Sequence, residues 1–376
     1  MSEKSRVRPT AKAMEPSTDA AHDPNRHNRV KLTRKELLEQ PTVLQDTLKS
    51  IERDLEPMRA KLGERTITKL YIVGCGDSWF AGIGVRHALE ILLNIPCEPM
   101  QALDFALYSQ IISEETAVIG LSASGTTGAV VDSLRRAKEM GAFTIGLSNT
   151  EGSLMLTEFD GGIFVPAQRK GWPTQASTAA MVALILFAIR LNETWNHGSN
   201  VETSSLLDSL ELLPEQVEKV ITNHDETMKK LAEKYVLGNY FMLTGAGPYF
   251  ASASFGAAKL KELCPLHAVA MPLEEFHHYR TCKENDILFV VAPDDVSRHR
   301  AKDTVDVGTY DGGNVIVLTN EQESYITEFA TDVVSLPKTD ERLAPILFSI
   351  PLQLFAYHLA MYKYEKRIGY APTFSA

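Results

Sequence analysis

Thr116-Ala117-Val118-Ile119-Gly120-Leu121-Ser122-Ala123-Ser124-Gly125-Thr126-Thr127 is the stretch from which the fold is read. Its first six residues form a short apolar run of the kind that makes a buried parallel strand. The next six form a turn carrying four hydroxyls and one glycine. Beyond it, Val130, Val131, Leu134 and Ala137 recur at helical spacing until Gly141 stops them. Several hydroxyls, a close-approaching backbone and the free N–H groups of a helix start together make a site for a phosphate or similar anion. The competing reading is a Ser/Thr turn that caps the helix, but four hydroxyls exceed what one cap needs.

The same strand–turn–helix pattern recurs on either side. Leu70 to Val73 leads into Gly74-Cys75-Gly76-Asp77-Ser78 and a helix from Trp79 to Leu93. Further strands are predicted at 96–100 and 144–147, with an edge strand at 162–165. In the second half, Tyr240 to Leu243 leads into Thr244-Gly245-Ala246-Gly247 and a helix over 249–263. Strands follow at 268–270, 287–292, 315–318 and 333–336, with a last helix over 345–363. Helices between strands imply right-handed crossovers and parallel sheets covered on both faces. The prediction is therefore an α/β chain of two tandem flavodoxin-like domains: a polar disordered tail over 1–30, a first domain over 31–200, and a second over 201–376. The first domain opens with a helical hairpin. Thr33-x-x-Glu36 reads as a capping box, Pro41 as a break, and Leu44, Leu48, Ile51 and Leu55 as one apolar face. The second-half counterpart of the hydroxyl loop, Ala292-Pro293-Asp294-Asp295, is acidic and would repel phosphate. One anion site, in the first half, is expected.

A length of 376 residues suits two cores better than one. A hydrophobic share of 44% with 23% charged residues describes a soluble globular protein. A formal net charge of -10 argues against a general nucleic-acid surface. Cys75, Cys97, Cys264 and Cys282 are scattered without metal spacing and read as reduced cysteines of a cytoplasmic protein. The most apolar helix, 179–191, is too short to span a bilayer, so no membrane partner is expected. Gly74-x-Gly76 and Gly245-x-Gly247 lack the third glycine of a dinucleotide site, since Phe80 and Phe250 stand near its place. No cofactor and no metal are expected.

Open parallel sheets bind ligands at the carboxyl ends of their strands. Here those ends carry Ser78, Ser122, Ser124 and Thr127; the second half adds Lys259-Leu260-Lys261-Glu262 and Glu275-Phe276-His277-His278. A carboxylate and an imidazole beside a phosphate site are the parts required for enolisation of a sugar. Taken alone, Glu262 also reads as a solvated helix-end charge and the His277-His278 pair as a surface feature.

From about residue 35 onward the chain resembles the SIS (sugar isomerase) family. The Ser-x-Ser-Gly-x-Thr phosphate loop of that family matches Ser122 to Thr127. Cys75-Gly76-Asp77-Ser78, Ala176-Ser177-Thr178, Lys259-Leu260-Lys261-Glu262, Ala344-Pro345 and Pro351-Leu352-Gln353 match further segments. Two tandem copies resemble the isomerase half of glucosamine-6-phosphate synthase and related deglycases and deaminases. The resemblance implies that Ser78, Ser122, Ser124, Thr127 and Ser177 hold the sugar's phosphate. It makes Gln175 a backbone contact, Lys259 a neighbour of the substrate, Glu262 the general base and His278 the ring-opening acid. That histidine reaches a neighbouring subunit in the family, which implies a homodimer or higher homo-oligomer with shared active sites.

The departures bear on the substrate. An N-terminal cysteine nucleophile is absent, so no glutaminase activity is expected, and the stretch from Arg367 to Ala376 has no Schiff-base lysine. The family's Gly-Glu-x-x-His-Gly-Pro appears as Glu274 to Arg280 without its glycines and proline, so Tyr279, Arg280 and Trp172 are expected to line a reshaped pocket. The implied activity is enolisation of a sugar 6-phosphate at C1–C2, ending in aldose–ketose isomerisation or in loss of an amine as a deglycase or deaminase. A C6 sulfonate would also fit the loop. The alternative is a sugar-phosphate sensor without catalysis, which would need neither Glu262 nor His278.

Overall fold

The computed structural model describes residues 25–193, 195, 201, 203–293, 296–320 and 324–368. The first half begins with helices α1 (Arg26–Ser50) and α2 (Glu52–Gly63). It continues through β1 (Lys69–Gly74), α3 (Asp77–Leu93), β2 (Cys97–Gln101), α4 (Ala102–Tyr108), β3 (Thr116–Leu121), α5 (Gly128–Glu139), β4 (Phe143–Ser148), α6 (Leu154–Thr157), β5 (Gly161–Phe164) and α7 (Gln175–Asn192). The second half runs α8 (Ser204–Lys234), β6 (Tyr240–Gly245), α9 (Tyr249–Leu263), β7 (His267–Pro272), α10 (Glu275–Tyr279), β8 (Ile287–Val291), α11 (Arg298–Tyr310), β9 (Asn314–Asn320), α12 (Ser324–Thr327), β10 (Asp332–Leu336) and α13 (Ala344–Lys366).

Each half holds a five-stranded sheet, in the orders β2-β1-β3-β4-β5 and β10-β9-β8-β6-β7, and every pairing is parallel. Read in the same direction, the two orders are the same permutation, with the chain reversing beside β1 and beside β6. Period-two alternation decides which core each side chain joins. Leu70 and Ile72 of β1 face the central core, while Tyr71 and Val73 face a satellite core under α4 and α5. In β6, Phe241 and Leu243 face the central core and Met242 the second satellite. The central core is shared by both halves, with α3 packed on α7 and α9, and α13 on α8 and α9.

The apolar helices α7 and α13 fill this shared layer; both are long and apolar enough to cross a membrane, but 89% and 83% of their most apolar stretches are buried inside the protein. They are core helices. Phe355 of α13 meets Phe241 and Phe289 edge-on at 5.9 and 5.0 Å.

The N-terminal region departs from expectation. Residues 26–30, grouped with the polar tail by composition, are helical, and α1 runs unbroken through Pro41. Proline removes one helix hydrogen bond, but Leu37, Val43 and Leu44 around it are buried. Gln40 also donates to Gln353 of α13 at 2.9 Å and accepts from Thr178 of α7 at 2.9 Å. Tertiary contacts outweigh the local break. The helix therefore lies across α7, α8 and α13, joining both halves. Thr33 and Glu36 sit mid-helix, not at a cap, and serve the loop described below. The connection at 197–205 and the acidic pair Asp294-Asp295 fall wholly or partly outside the described residues, as do residues 1–24 and 369–376.

Replacing Phe355 with Ala is expected to lower stability by about 3–5 kcal/mol, read as a reduced urea midpoint. An unchanged midpoint would count against the shared core as the main source of stability.

Candidate active site

The cavity opens at the carboxyl ends of β1 and β3, where the strand order reverses and open α/β sheets generally take their ligands. It holds about 210 Å³, below the roughly 300–1,000 Å³ common for drug-sized ligands and suited to one small polar molecule. Ser78, Ser122, Ser124, Thr127, Ser177 and Glu262 all line it. Asp77, Asn149, Arg169 and Pro173 line it too, none of them anticipated as a site residue.

One end is a bed of hydroxyls. Gly125 turns the loop with φ of +69°, and a Cβ there would stand 2.2 Å from the Ser153 side chain, so both backbone and space demand glycine. Ser122 Oγ lies 2.8 Å from Thr127 Oγ1 and 3.4 Å from Ser124 Oγ. Thr127 precedes α5 in extended conformation, but its side chain makes no capping hydrogen bond. The hydroxyls face one another and the cavity, so the simple helix-cap reading fails. At the other wall, Gly74 lets α3 start close against β1; a Cβ there would be 2.7 Å from the backbone of Ser78 and Trp79. Gly245 meets Tyr249 in the same way, so these glycine turns serve helix–strand packing in both halves.

Beside these hydroxyls lies a charged cluster, with Asp77 accepting from Ser177 Oγ at 3.3 Å. Lys259, only 1% exposed, donates from Nζ to Asp77 Oδ2 at 2.7 Å, to the Pro173 carbonyl at 2.6 Å and to Glu262 Oε2. Burial pulls the lysine down, but Asp77 and Glu262 outweigh it and hold its pKa above the ordinary value. It stays an ammonium. For Glu262, burial pushes the carboxyl up, Lys259 opposes that and Asp77 adds to it, leaving a pKa of about 7. Its side chain keeps 29% exposure, directed into the cavity it lines. A carboxyl poised near neutrality can accept a carbon-bound proton and return it.

The wall between the two ends is loop 168–174, and α1 holds it. Glu36, fully buried, accepts backbone hydrogen bonds from Lys170, from Gly171 at 2.6 Å and from Thr174 at 3.2 Å. Thr33 Oγ1 accepts from Trp172 N at 2.9 Å. Arg26 and Arg29 stack on the Trp172 ring, 4.6 and 4.2 Å from its centroid, and Arg26 also donates to the Glu262 carbonyl. Glu36 has its pKa raised by burial against the opposing pull of these amides and Lys259.

The remaining expected residues sit elsewhere. Gln175 is buried at the start of α7 behind the wall, donating to the Gln168 carbonyl at 2.5 Å. His278 is 63% exposed on α10, its Nε2 3.6 Å from Glu274 Oε1, and does not line its own chain's cavity. Its neighbour His277 faces Thr304 of α11 at 2.9 Å. Trp172, Tyr279 and Arg280 do not line the cavity either: Trp172 is buried under the two arginines, Tyr279 is exposed, and Arg280 pairs with Asp311 at 2.8 Å. Among the described residues no group of three His, Cys, Asp or Glu side chains could hold a metal ion. Asp77 and Glu36 carried a sequence signal, an acid in a glycine turn and an acid paired with Thr33, but nothing in the sequence shows that these groups reach one pocket.

Residues 65–190 and 240–363 match the SIS domain. The chain belongs to the SIS domain family. This SIS protein is 32% identical over 330 residues to glutamine–fructose-6-phosphate aminotransferase (isomerizing) of Aquifex aeolicus, covering 87% of this chain and 54% of that relative. It thus spans about half the length of the curated relatives it matches. Its fold superimposes on the C-terminal domain of glucosamine-fructose-6-phosphate aminotransferase from Francisella tularensis with a TM-score of 0.82 at 24% identity, covering 88% of this chain and 96% of that one. Glucosamine-6-phosphate deaminase of Thermotoga maritima matches with a TM-score of 0.68 at 19% identity over 88% and 94% of the two chains.

Glu36→Ala leaves three amides, those of Gly171 and Thr174 buried and that of Lys170 partly so, without their acceptor and is expected to cost about 3 kcal/mol or more, with faster hydrogen exchange at Lys170, Gly171 and Thr174. Glu36→Gln keeps one acceptor oxygen and should lose less. Unchanged protection of those amides in the alanine variant would show that the loop stands without α1.

Proposed function

We propose that this SIS protein is an enzyme that enolises a sugar 6-phosphate at C1–C2, with Glu262 as the base. The observation that supports this most directly is the pairing within one small cavity of a hydroxyl bed fit for a phosphate and a carboxyl poised near pH 7. The similarity to a fructose-6-phosphate aminotransferase supports a phosphosugar substrate. Ser78, Ser122, Ser124, Thr127 and Ser177 would grip the phosphate, leaving C1 and C2 towards Glu262 and Lys259. The Lys259 ammonium would stabilise the oxyanion that develops as the C–H proton leaves.

From an aldose, Glu262 takes the C2 proton and returns it to C1, moving the carbonyl to C2. From a 2-amino aldose the same transfer leaves an imine at C2, which water hydrolyses to a ketose with release of ammonia. From a 1-amino ketose the proton moves from C1 to C2, and hydrolysis of the C1 imine gives an aldose and the free amine. A sensor would need the hydroxyl bed but not a raised carboxyl beside a buried ammonium.

Among the described residues, no histidine lines the cavity of a single chain. The exposure of His278 on α10 supports a role in a second subunit's site, as acid for ring opening, and with it a homodimer or larger homo-oligomer.

In heavy water, wild-type protein is expected to exchange deuterium into C1 or C2 of fructose 6-phosphate or glucosamine 6-phosphate, and Glu262→Gln is expected to bind without exchanging. Exchange in that variant would remove Glu262 as base. Because only the carboxylate accepts a proton, and its pKa is raised, kcat/KM should climb through about pH 7 and level off above it. Mixing inactive Glu262→Gln with inactive His278→Ala should restore turnover through mixed oligomers holding one intact site; no recovery after subunit exchange would show that His278 does not act across chains.

A further inference from the structure

The cavity is poor in positive charge. Besides its hydroxyls it is lined by two carboxyls, Asp77 and Glu262, and, among the described residues, by a single cation, Arg169. Lys259 is 1% exposed and already donates to Asp77, to Glu262 and to the Pro173 carbonyl. An anion laid on Ser78, Ser122, Ser124 and Thr127 therefore meets neutral donors beneath it and carboxyls beside it. A dianion held only in that way has no direct counter-ion.

Arg169 is placed to fill that gap. Its backbone is fixed on both sides: the Gln168 carbonyl accepts from Gln175 Nε2 at 2.5 Å, and Lys170 N donates to Glu36. The segment leading to it is tied to the hydroxyl loop. Val165 N donates to the Ser148 carbonyl at 3.0 Å, Asn149 Nδ2 to the Val165 carbonyl at 3.0 Å, and Asn149 N to the Ala123 carbonyl at 3.2 Å. The neighbouring cation Lys170 is engaged by Glu39. The Arg169 side chain, by contrast, is exposed at the cavity and, among the described residues, makes no hydrogen bond or ion pair. An unpaired surface arginine is ordinary; this one stands on a braced loop and lines a cavity built of anion-binding hydroxyls.

We propose that Arg169 is a further substrate-binding residue, whose guanidinium folds over the hydroxyl bed and pairs with the phosphate of the bound sugar. This rests on the phosphosugar reading above and adds to its five hydroxyl residues the charge partner they lack. The planar fork donates to two phosphate oxygens at once from the solvent side, while the hydroxyls hold the phosphate from within. Charge-assisted hydrogen bonds are about twice as strong as neutral ones. The braced loop gives the side chain a fixed base, so that only the side chain has to be ordered on binding.

The probe is glucitol 6-phosphate, which lacks a carbonyl and cannot turn over. By calorimetry, Arg169→Gln, which removes the charge, is expected to bind it about tenfold or more weaker than the wild type, with a flatter dependence on salt concentration. Arg169→Lys keeps the charge without the fork, so its affinity should fall between the two and its salt dependence should stay near that of the wild type. Because the side chain is exposed, both variants should keep the wild-type urea midpoint. Wild-type affinity in Arg169→Gln overturns the inference and leaves the phosphosugar reading intact. Equal weakening in the Gln and Lys variants, with the wild-type salt dependence in both, also overturns it, since a merely structural role does not follow charge. If the wild-type protein does not bind glucitol 6-phosphate, the inference falls together with the phosphate site.

Discussion

A single buried ammonium holds the site together. Lys259 comes from α9 of the second half, Asp77 from α3 of the first, and the carbonyl of Pro173 from the loop between β5 and α7. A lysine at 1% exposure is strongly destabilised unless opposite charges and hydrogen bonds surround it, so the two halves have to meet in this arrangement for the charge to be tolerated. The same contact that joins the halves sets the electrostatics of the cavity. With Lys259 fixed as a cation, Glu262 beside it is pulled one way by the lysine and the other by burial and Asp77, and ends near neutrality.

Around that cluster α1 acts as an external brace. Its residues Arg26, Arg29, Thr33 and Glu36 grip the loop over 168–174 and the end of α9 at once. A buried carboxylate that accepts backbone amides is costly to desolvate and rewarding only when every donor is aligned. Glu36 meets that condition, with three loop amides donating to its carboxylate. The proline within α1 shows how far tertiary packing overrides local preference: contacts on both sides of Pro41 outweigh the missing hydrogen bond.

The duplicated architecture is used unequally. Both sheets share one strand permutation and both first crossovers begin at a glycine turn packed tightly on its helix, yet only the first half carries a hydroxyl loop. The second half contributes instead the Lys259–Glu262 ion pair of α9, and it carries His278 outward on α10. Two copies of one fold thus bring hydroxyls from the first half and the charged groups of α9 from the second to one cleft.

Much of this was legible in the residues alone. Alternating apolar runs, glycine turns and helical spacing determine the parallel α/β plan of each half, because these patterns reflect backbone geometry over a few residues. The Ser122 to Thr127 loop was legible for the same reason, its hydroxyls being neighbours along the chain. The sequence could not show that Pro41 would be absorbed, that Thr33 and Glu36 would serve a loop more than 130 residues away, or that Tyr279, Arg280 and Trp172 would miss the cavity. Nor could it show that Asp77 would share one ammonium with Glu262. Those outcomes depend on burial and on charges brought together from distant segments, and only the packed structure decides them.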